Sequence, residues 1–383
     1  MKRILYFLST LYLTGILFTS CHKDIASPIS NAAPTDFNQV FNDFWNQMNV
    51  NYVYWDIDST NWDSMYIRYQ PIFANLDIHN NAALVKSVGY FRQMTDGLID
   101  SHYNLSFFPA AISNPSFDVN PALDRKVAAG TYRNPYSFIN LDTTYYLDNG
   151  FISGSYAGTV AACGTIQHKI LYFTCSDFEL NNAYLSATPN GVKDAVQNFF
   201  DSLQNGIAIK GIIIDVRDNP GGDVSDLSFL LGHLINTPLH FGYSRFKTGN
   251  GKFDYSPWIN TYVTPQAGGK SVSIPVLVLA DNFSASMAEA TTMAIHTLPT
   301  GVFVGERTWG ATGPLAANSL YDDGQFTIPG FMFTYTSSVA FKYIDGNIYE
   351  GKGFQPDINV PFSHAAVLLN DDPQLDTAVS RIP

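Results

Sequence analysis

A serine hydroxyl becomes a nucleophile when a base can take its proton and backbone amides can receive the charge that develops. Two segments of this chain have the residues for the serine and the amides. The first, GIIIDVRDNPGG at 211–222, is an apolar run that breaks into Asp, Asn, Pro and two glycines. The second, PVLVLADNFSASMAEATTMA at 275–294, breaks from an apolar run into small and polar residues before an Ala-rich stretch. Each reads as a buried strand that delivers a loop or helix to a site. Ser286 falls where the second strand has ended and the helix begins, so its hydroxyl stands at a positive helix end. The N–H of Met287 is then free to donate to an oxyanion, and Gly221 or Gly222 can bring a second amide close because no side chain intervenes. The competing reading is an ordinary N-cap for Ser286, with Ser284 as local rival for either role and Glu289 as a capping-box carboxylate.

The surrounding pattern supplies elements to hold such a site. Phe37, Val40, Phe41, Phe44, Trp45 and Met48 recur at helical spacing, with Thr35 available as cap. A second, weaker helix over 62–73 is expected to be interrupted by Pro71, and Leu84, Val88, Phe91 and Met94 mark a third that ends near Gly97. These make a helical unit over 35–106. Residues 107–168 read as an irregular, Pro- and Asn-rich connection that turns to strands toward its end. From 169 onward, strands at 169–174, 209–216, 273–280 and 302–305 alternate with helices over 189–203, 227–235 and from 286. That alternation predicts an α/β core, 169–383, with a parallel sheet and flanking helices. Residues 324–335 alternate and suit an added β element.

The formal net charge of -12 over 383 residues excludes a basic nucleic-acid footprint. Lys2 and Arg3, then an apolar run over 4–18 that is short for a membrane span, read as a leader over residues 1–21. The run ends at Phe18-Thr19-Ser20-Cys21, similar to a bacterial lipobox, which predicts a lipidated Cys21, a tether over 22–34 and a protein lipid-anchored to a membrane of the cell envelope. His22-Lys23-Asp24 lacks the acidic residue directly after cysteine that would signal inner-membrane retention, so the outer membrane is the default, facing periplasm or cell surface. Cys163 and Cys175 are compatible with a disulfide or with buried thiols, and without clustered histidines they form no metal set. The chain has no zinc-protease, P-loop, dinucleotide or Gly-x-Ser-x-Gly motif, so neither metal nor cofactor is expected.

Residues 212–222, 283–289, 305–310 (Gly-Glu-Arg-Thr-Trp-Gly) and 353–357 (Gly-Phe-Gln-Pro-Asp) together resemble the S41 peptidases, a family that includes the tail-specific proteases and the tricorn protease core. The resemblance runs from about 169 to 360, with a weaker match at 98–103. It implies a ClpP/crotonase-like catalytic core and places the nucleophile on Ser286. Typical bacterial members pair that serine with a lysine, but the matching position holds Ala311, and no lysine lies between Ser286 and Ala311. The tricorn branch uses a histidine instead, supported by an adjacent serine and a distant glutamate. Ser101, His102 and Glu350 fall where that pattern puts them, and Arg307-Thr308-Trp309-Gly310 resembles that branch more closely.

On this reading His102 takes the Ser286 proton and Glu350, directly or through a hydroxyl, fixes the imidazole, with Ser101 helping to position one of them. Asp215, Asp218 and Asp281 are alternative acids, although Asp215 and Arg217 read better as a structural pair at a strand end. Glu306 and Arg307 suit loop organisation. The stretch 108–148 is too short and proline-broken for the PDZ domain that many tail-specific proteases carry. The expected partner is therefore an extended or unfolded polypeptide rather than a selected C-terminus. The chief alternative is an inactive homologue that keeps the groove and binds peptide or ligand; a third reading is hydrolysis of a non-peptide acyl group. Phe108, Phe283, Trp309 and Phe341 are candidates for a groove or for the core.

Overall fold

The computed structural model describes residues 32–204, 208–315 and 324–383. The expected leader, Cys21 and the tether up to residue 31 lie outside the described residues. Among the described residues no helix is long and apolar enough to cross a membrane.

Three helices open the fold: α1 (Phe37–Asn51), α2 (Trp62–Phe73) and α3 (Asn81–Thr95). The cap of α1 is Asp36 rather than Thr35, because its carboxylate reaches Gln39 N at 2.8 Å. Pro71 does not interrupt α2, which runs on to Phe73. Next come β1 (Asn104–Phe107), a 3-10 turn (Pro115–Phe117), α4 (Pro121–Ala128) and α5 (Ile139–Tyr145). Then follow β2 (Ile152–Tyr156), β3 (Thr159–Ile166), β4 (Ile170–Cys175), α6 (Leu180–Leu185), α7 (Gly191–Gln204), β5 (Gly211–Asp215) and α8 (Ser225–Leu231). The chain continues through β6 (Leu239–Phe246), β7 (Ile259–Val263), β8 (Val276–Ala280), α9 (Met287–Thr297) and β9 (Gly301–Gly305). It closes with β10 (Gln325–Ile328), β11 (Met332–Tyr335), β12 (Val339–Tyr343), β13 (Ile358–Asn359), α10 (His364–Val367) and α11 (Pro373–Ser380).

The central sheet has seven strands in the order β13-β9-β8-β5-β4-β3-β2. The five from β13 to β4 are parallel, and β4-β3-β2 are antiparallel, so the sheet is mixed rather than wholly parallel. Every residue of β5 and of β8 is buried, as two-sided cover by helices requires. One face packs against α7 and α9 through Phe199, Val196 and Ile295, the other against α11 through Leu375. The sheet starts at Ile152, upstream of the core expected from 169. Strands were expected there only as the end of the connection; β3 joins the sheet by pairing antiparallel with β4, Ala161 opposite Cys175 and Ile166 opposite Ile170.

Strands from the far end of the chain complete the N-terminal helical layer. β1 pairs with β11, and β11 with β10. Phe326, Ile328, Phe331 and Met332 thereby share one core with Phe37, Phe44 and Phe91. A third sheet, β12-β6-β7, stands apart from both. Cys163 and Cys175 are buried free thiols; their strand partners are Phe173 and Ala161, so they sit out of register with each other. Burial pushes the Cys163 thiol up to about 12 and Cys175 well above its ordinary value.

Two features of this architecture make the site. β5 and β8 are parallel neighbours, with Ile212 opposite Val276 and Asp215 opposite Leu279. Their C-terminal ends therefore deliver residues 216–222 and 281–286 side by side. Below them a buried ionic clasp holds the ends of the strands. The Arg217 guanidinium bonds Asp215 (2.9 Å), Asp372 (2.7 Å) and Asp142 (3.1 Å), with Tyr172 donating to both Asp142 and Asp215. Asp215 is thus structural, as its pairing with Arg217 suggested.

Candidate active site

The loop after β8 is built around Asp281, which is fully buried. Its Oδ1 accepts from Asp218 N (3.0 Å) and Phe283 N (2.9 Å), and its Oδ2 accepts from Arg133 (2.6 Å). Ser284 is spent in the same turn. Its hydroxyl donates to Val216 O (2.7 Å) and accepts from Asp281 N (2.8 Å), and it has no exposed surface. Burial and the Asp281 charge lift Asp218 to about 6, but it too stands inside this loop cluster with Arg133. Neither Ser284 nor these acids is placed to serve as nucleophile or base.

Ser286 is different. It sits at φ 55°, ψ -116°, a backbone conformation that a non-glycine residue rarely adopts. Its N–H is held from two sides, by Ala311 O (3.1 Å) and by Glu289 Oε2 (3.3 Å). Its hydroxyl lies by Glu289 N in a capping-box arrangement without a formed bond to the helix. Gly221 explains how the turn closes. At φ 107° it packs so near that a Cβ there would meet Ser286 Cβ at 2.6 Å and Met287 N at 2.9 Å.

The amides divide their roles. Gly221 was expected as a donor, but its N–H already goes to Asn219 Oδ1 at 2.8 Å, and its function is the close approach. The N–H groups of Gly222 and Met287 have no acceptor among the described residues. These two remain to receive an oxyanion.

His102 stands in a turn directly after the N-terminal helices. Its N–H donates to Asp100 Oδ1 (2.9 Å), and Ser101 N donates to Glu350 Oε1 (2.7 Å). One carboxylate oxygen each of Asp100 and Glu350 and one ring nitrogen of His102 lie within 4.8 Å of one another. The imidazole is half-buried, and loss of water pushes its pKa down to about 4. Ser101 enters through its backbone; its hydroxyl has no bond among the described residues.

Glu350 is buried and receives five donors: Ser101 N, Thr312 N (2.7 Å), Gly313 N (2.8 Å), Thr312 Oγ1 (3.1 Å) and Tyr54 OH (3.2 Å). Burial and the charge of Asp100 raise its carboxyl well above the usual range, and the amides pull it partly back. Glu289 does the same work one step earlier. It accepts from Thr308 Oγ1 (2.5 Å), Gly310 N (2.8 Å) and Ala311 N (2.6 Å), and burial lifts it to about 7. The segment 310–313 is therefore strung between two buried carboxylates. Its first two amides hang on Glu289, beside Ser286, and its last two on Glu350, beside His102. Ala311, at the position where a lysine was expected by resemblance, is buried with both its N–H and its carbonyl engaged.

No hydrogen bond joins Ser286 to His102 in this structure; the two are connected through 310–313. Catalytic hydrogen bonds are often long in the unliganded state and close when substrate binds. Residues that sequence reasoning passed over are Asp100, Ser337, Thr312, Tyr54 and Asn219. The carboxyl signal was present for Asp100, two residues before His102, but nothing in the sequence brought Ser337 to it. Of the aromatic candidates, Phe283 and Trp309 lie 6.1 Å apart and tilted by 34° beside the Ser286 turn, under Arg133 and Lys126. Phe108 is exposed, and Phe341 belongs to the core against Phe241.

Fold and site together are those of a mixed α/β protein with an S41-like catalytic domain. Residues 169–360, half of the chain, match peptidase family S41, and residues 33–77 match the tricorn protease C1 domain. The chain belongs to peptidase family S41. It is similar to the tricorn protease of Thermoplasma acidophilum, 26% identical over 188 residues that cover 49% of this chain and 15% of that protein. The chain thus spans a small part of that relative's length. In fold it resembles a candidate peptidase from Parabacteroides merdae, with TM-score 0.67, 21% identity, and 92% and 97% of the two chains covered. It also resembles mature CPAF complexed with lactacystin, with TM-score 0.62, 12% identity, and 90% and 97% covered.

Proposed function

We propose that this chain is a serine peptidase that cleaves extended or partly unfolded polypeptides through an acyl-enzyme on Ser286, with His102 as general base. The observation that carries the reading is the placement of Ser286. It stands on a strained strand-to-helix turn beside two unpaired amides, Gly222 and Met287, tied through 310–313 to the turn that bears His102. Neutral imidazole takes the hydroxyl proton as Ser286 Oγ attacks the peptide carbonyl. The two amides and the head of α9 receive the charge on the carbonyl oxygen. The imidazolium then returns the proton to the leaving amine, and water activated by the same nitrogen releases the acyl group. Glu350 acts in this scheme chiefly by fixing the backbone of Ser101, Thr312 and Gly313. The core is read as ClpP/crotonase-like, in the tricorn-type branch. The segment 108–151, with two short helices and a 3-10 turn, supports selection by extended conformation rather than by a PDZ-bound terminus. Anchorage through a lipidated Cys21 at the bacterial cell envelope, by default at the outer membrane, completes the proposal.

A second reading, a homologue that binds peptide without cleaving it, is favoured by Ala311 and by the unformed Ser286–His102 bond. Fluorophosphonate labelling of the chain from residue 22 decides between them. Labelling that is lost in both Ser286→Ala and His102→Ala supports the peptidase. A folded protein that never labels supports the binding reading.

A further inference from the structure

The proposed mechanism needs something to hold the His102 ring with its proton on one nitrogen, and Glu350 is not bonded to that ring. All five partners of Glu350 are other groups. What faces Nδ1 of His102 is the hydroxyl of Ser337, at 3.4 Å. Ser337 leads into β12, more than two hundred residues away in sequence, and is fully buried.

We propose that Asp100 and Ser337 form the positioning pair for His102, with Ser337 fixing the imidazole tautomer on behalf of the Asp100 carboxylate. This rests on the assignment of His102 as base. The argument is a count of protons. The Ser337 hydroxyl has one hydrogen and three acceptors around it: Asp100 Oδ1 at 2.9 Å, Gly313 O at 3.2 Å and the neutral phenol oxygen of Tyr54, whose own hydrogen goes to Glu350. The carboxylate is both nearer and charged, so it takes the hydrogen. Ser337 Oγ is left with lone pairs toward His102 Nδ1, which must therefore carry the ring hydrogen. Nε2 is then the basic nitrogen, and it has no partner among the described residues. Asp100 is held for this task. It is completely buried, it accepts from Ser337 N at 2.7 Å as well as from the hydroxyl, and it accepts from His102 N. One carboxylate thus fixes both the backbone and, through one hydroxyl, the ring of the same histidine. When Nε2 takes the Ser286 proton, the relay needs no further transfer. The Nδ1–H stays in place, and its contact to Ser337 shortens as the ring becomes positive. The other ionisable groups around this pair are Glu350, Tyr52, Tyr54, Tyr103 and Tyr335.

The test reads the tautomer directly. Nitrogen NMR of histidine-labelled protein, with His102→Gln for assignment, is expected to show His102 as the Nδ1–H form near neutral pH. Ser337→Ala is expected to shift it toward the Nε2–H form that dominates in a free histidine side chain, Ser337→Thr to restore Nδ1–H, and Asp100→Asn to weaken the preference. Fluorophosphonate labelling is expected to slow roughly 10- to 100-fold in Ser337→Ala and to recover in Ser337→Thr. A wild-type protein in the Nε2–H form overturns the pair without any variant, as does a tautomer unchanged in both Ser337→Ala and Asp100→Asn. A wild type that never labels, yet shows the stated tautomer changes, overturns the peptidase reading and upholds the pair.

Discussion

Two glycines in this chain share almost the same backbone angle and differ in what surrounds them. Gly221 has φ 107° and Gly158 has φ 104°. A Cβ at Gly158, in the turn between β2 and β3, would meet nothing within 4 Å. A Cβ at Gly221 would meet Ser286 Cβ at 2.6 Å, Met287 N at 2.9 Å and Ala285 O at 3.0 Å. Alanine at either site carries the conformational cost of a positive φ, about 1–3 kcal/mol. At Gly221 it adds an overlap of roughly 1 Å with carbon that should stand ~3.5–4.0 Å away. Relieving that overlap by moving the turn costs a further ~1–3 kcal/mol. Gly221→Ala should therefore be the less stable of the two by about that amount in urea denaturation. The displaced atoms are those of Ser286, the proposed nucleophile, and the Met287 amide, and a shift of ~1 Å in a reacting group costs on the order of 100-fold in rate. Labelling by fluorophosphonate should thus collapse in Gly221→Ala and stay near wild type in Gly158→Ala. Equal destabilisation with equal labelling would refute the close packing of the glycine turn on Ser286.

Three further outcomes are expected. Because loss of water lowers His102 to about 4, its neutral form persists through mildly acidic pH, and Ser286 labelling should fall with a midpoint near 4; a midpoint near the ordinary 6.5 would contradict the desolvation of the ring. Glu350→Ala strands three buried backbone N–H groups at ~1–3 kcal/mol each, less what water recovers, so urea denaturation should show a larger loss than for Glu350→Gln, which keeps one acceptor oxygen. Arg217→Met leaves Asp142, Asp215 and Asp372 without their shared cation and should cost about 3–5 kcal/mol at pH 7. That loss should shrink as pH falls and Asp142, already raised by burial, is protonated, which denaturation at pH 7 and pH 5 will show.

The parallel core was legible because its strands are extreme. Ile212–Ile213–Ile214 and Val276–Leu277–Val278 are apolar on both faces, and such runs mark two-sided burial whatever the neighbours are. Strand character ahead of 169 was legible too, but not that β2 and β3 join the central sheet, because which strand they pair with is set by contacts outside their own pattern. The N-terminal layer was read as helices alone, since the strands that finish it, β10 and β11, come more than two hundred residues later. A local pattern cannot show that Phe331 packs against Phe37 and Phe107.

The site divides along the same line. Ser286 is visible in sequence because a strand, a serine and a helix are adjacent there. Glu350 and His102 were reached only through resemblance, and the bonds that join them are non-local. What neither route shows is that the residues between them are the structural problem. Four consecutive amides, from Gly310 to Gly313, run through the buried interior with no strand or helix to satisfy them. Left unpaired, each would cost ~1–3 kcal/mol. Glu289 and Glu350 take two apiece, and each carboxylate also bonds the backbone N–H of a residue at the site, Ser286 for one and Ser101 for the other. Ala311 is buried, so a lysine there would have to bring a long side chain and an ammonium group into the packed interior beside these carboxylates, while the backbone bonds of residue 311 would be the same. With Ala311 in that place, the proposed mechanism takes its base from the far side of 310–313, at His102, and the two glutamates hold the segment that joins it to Ser286.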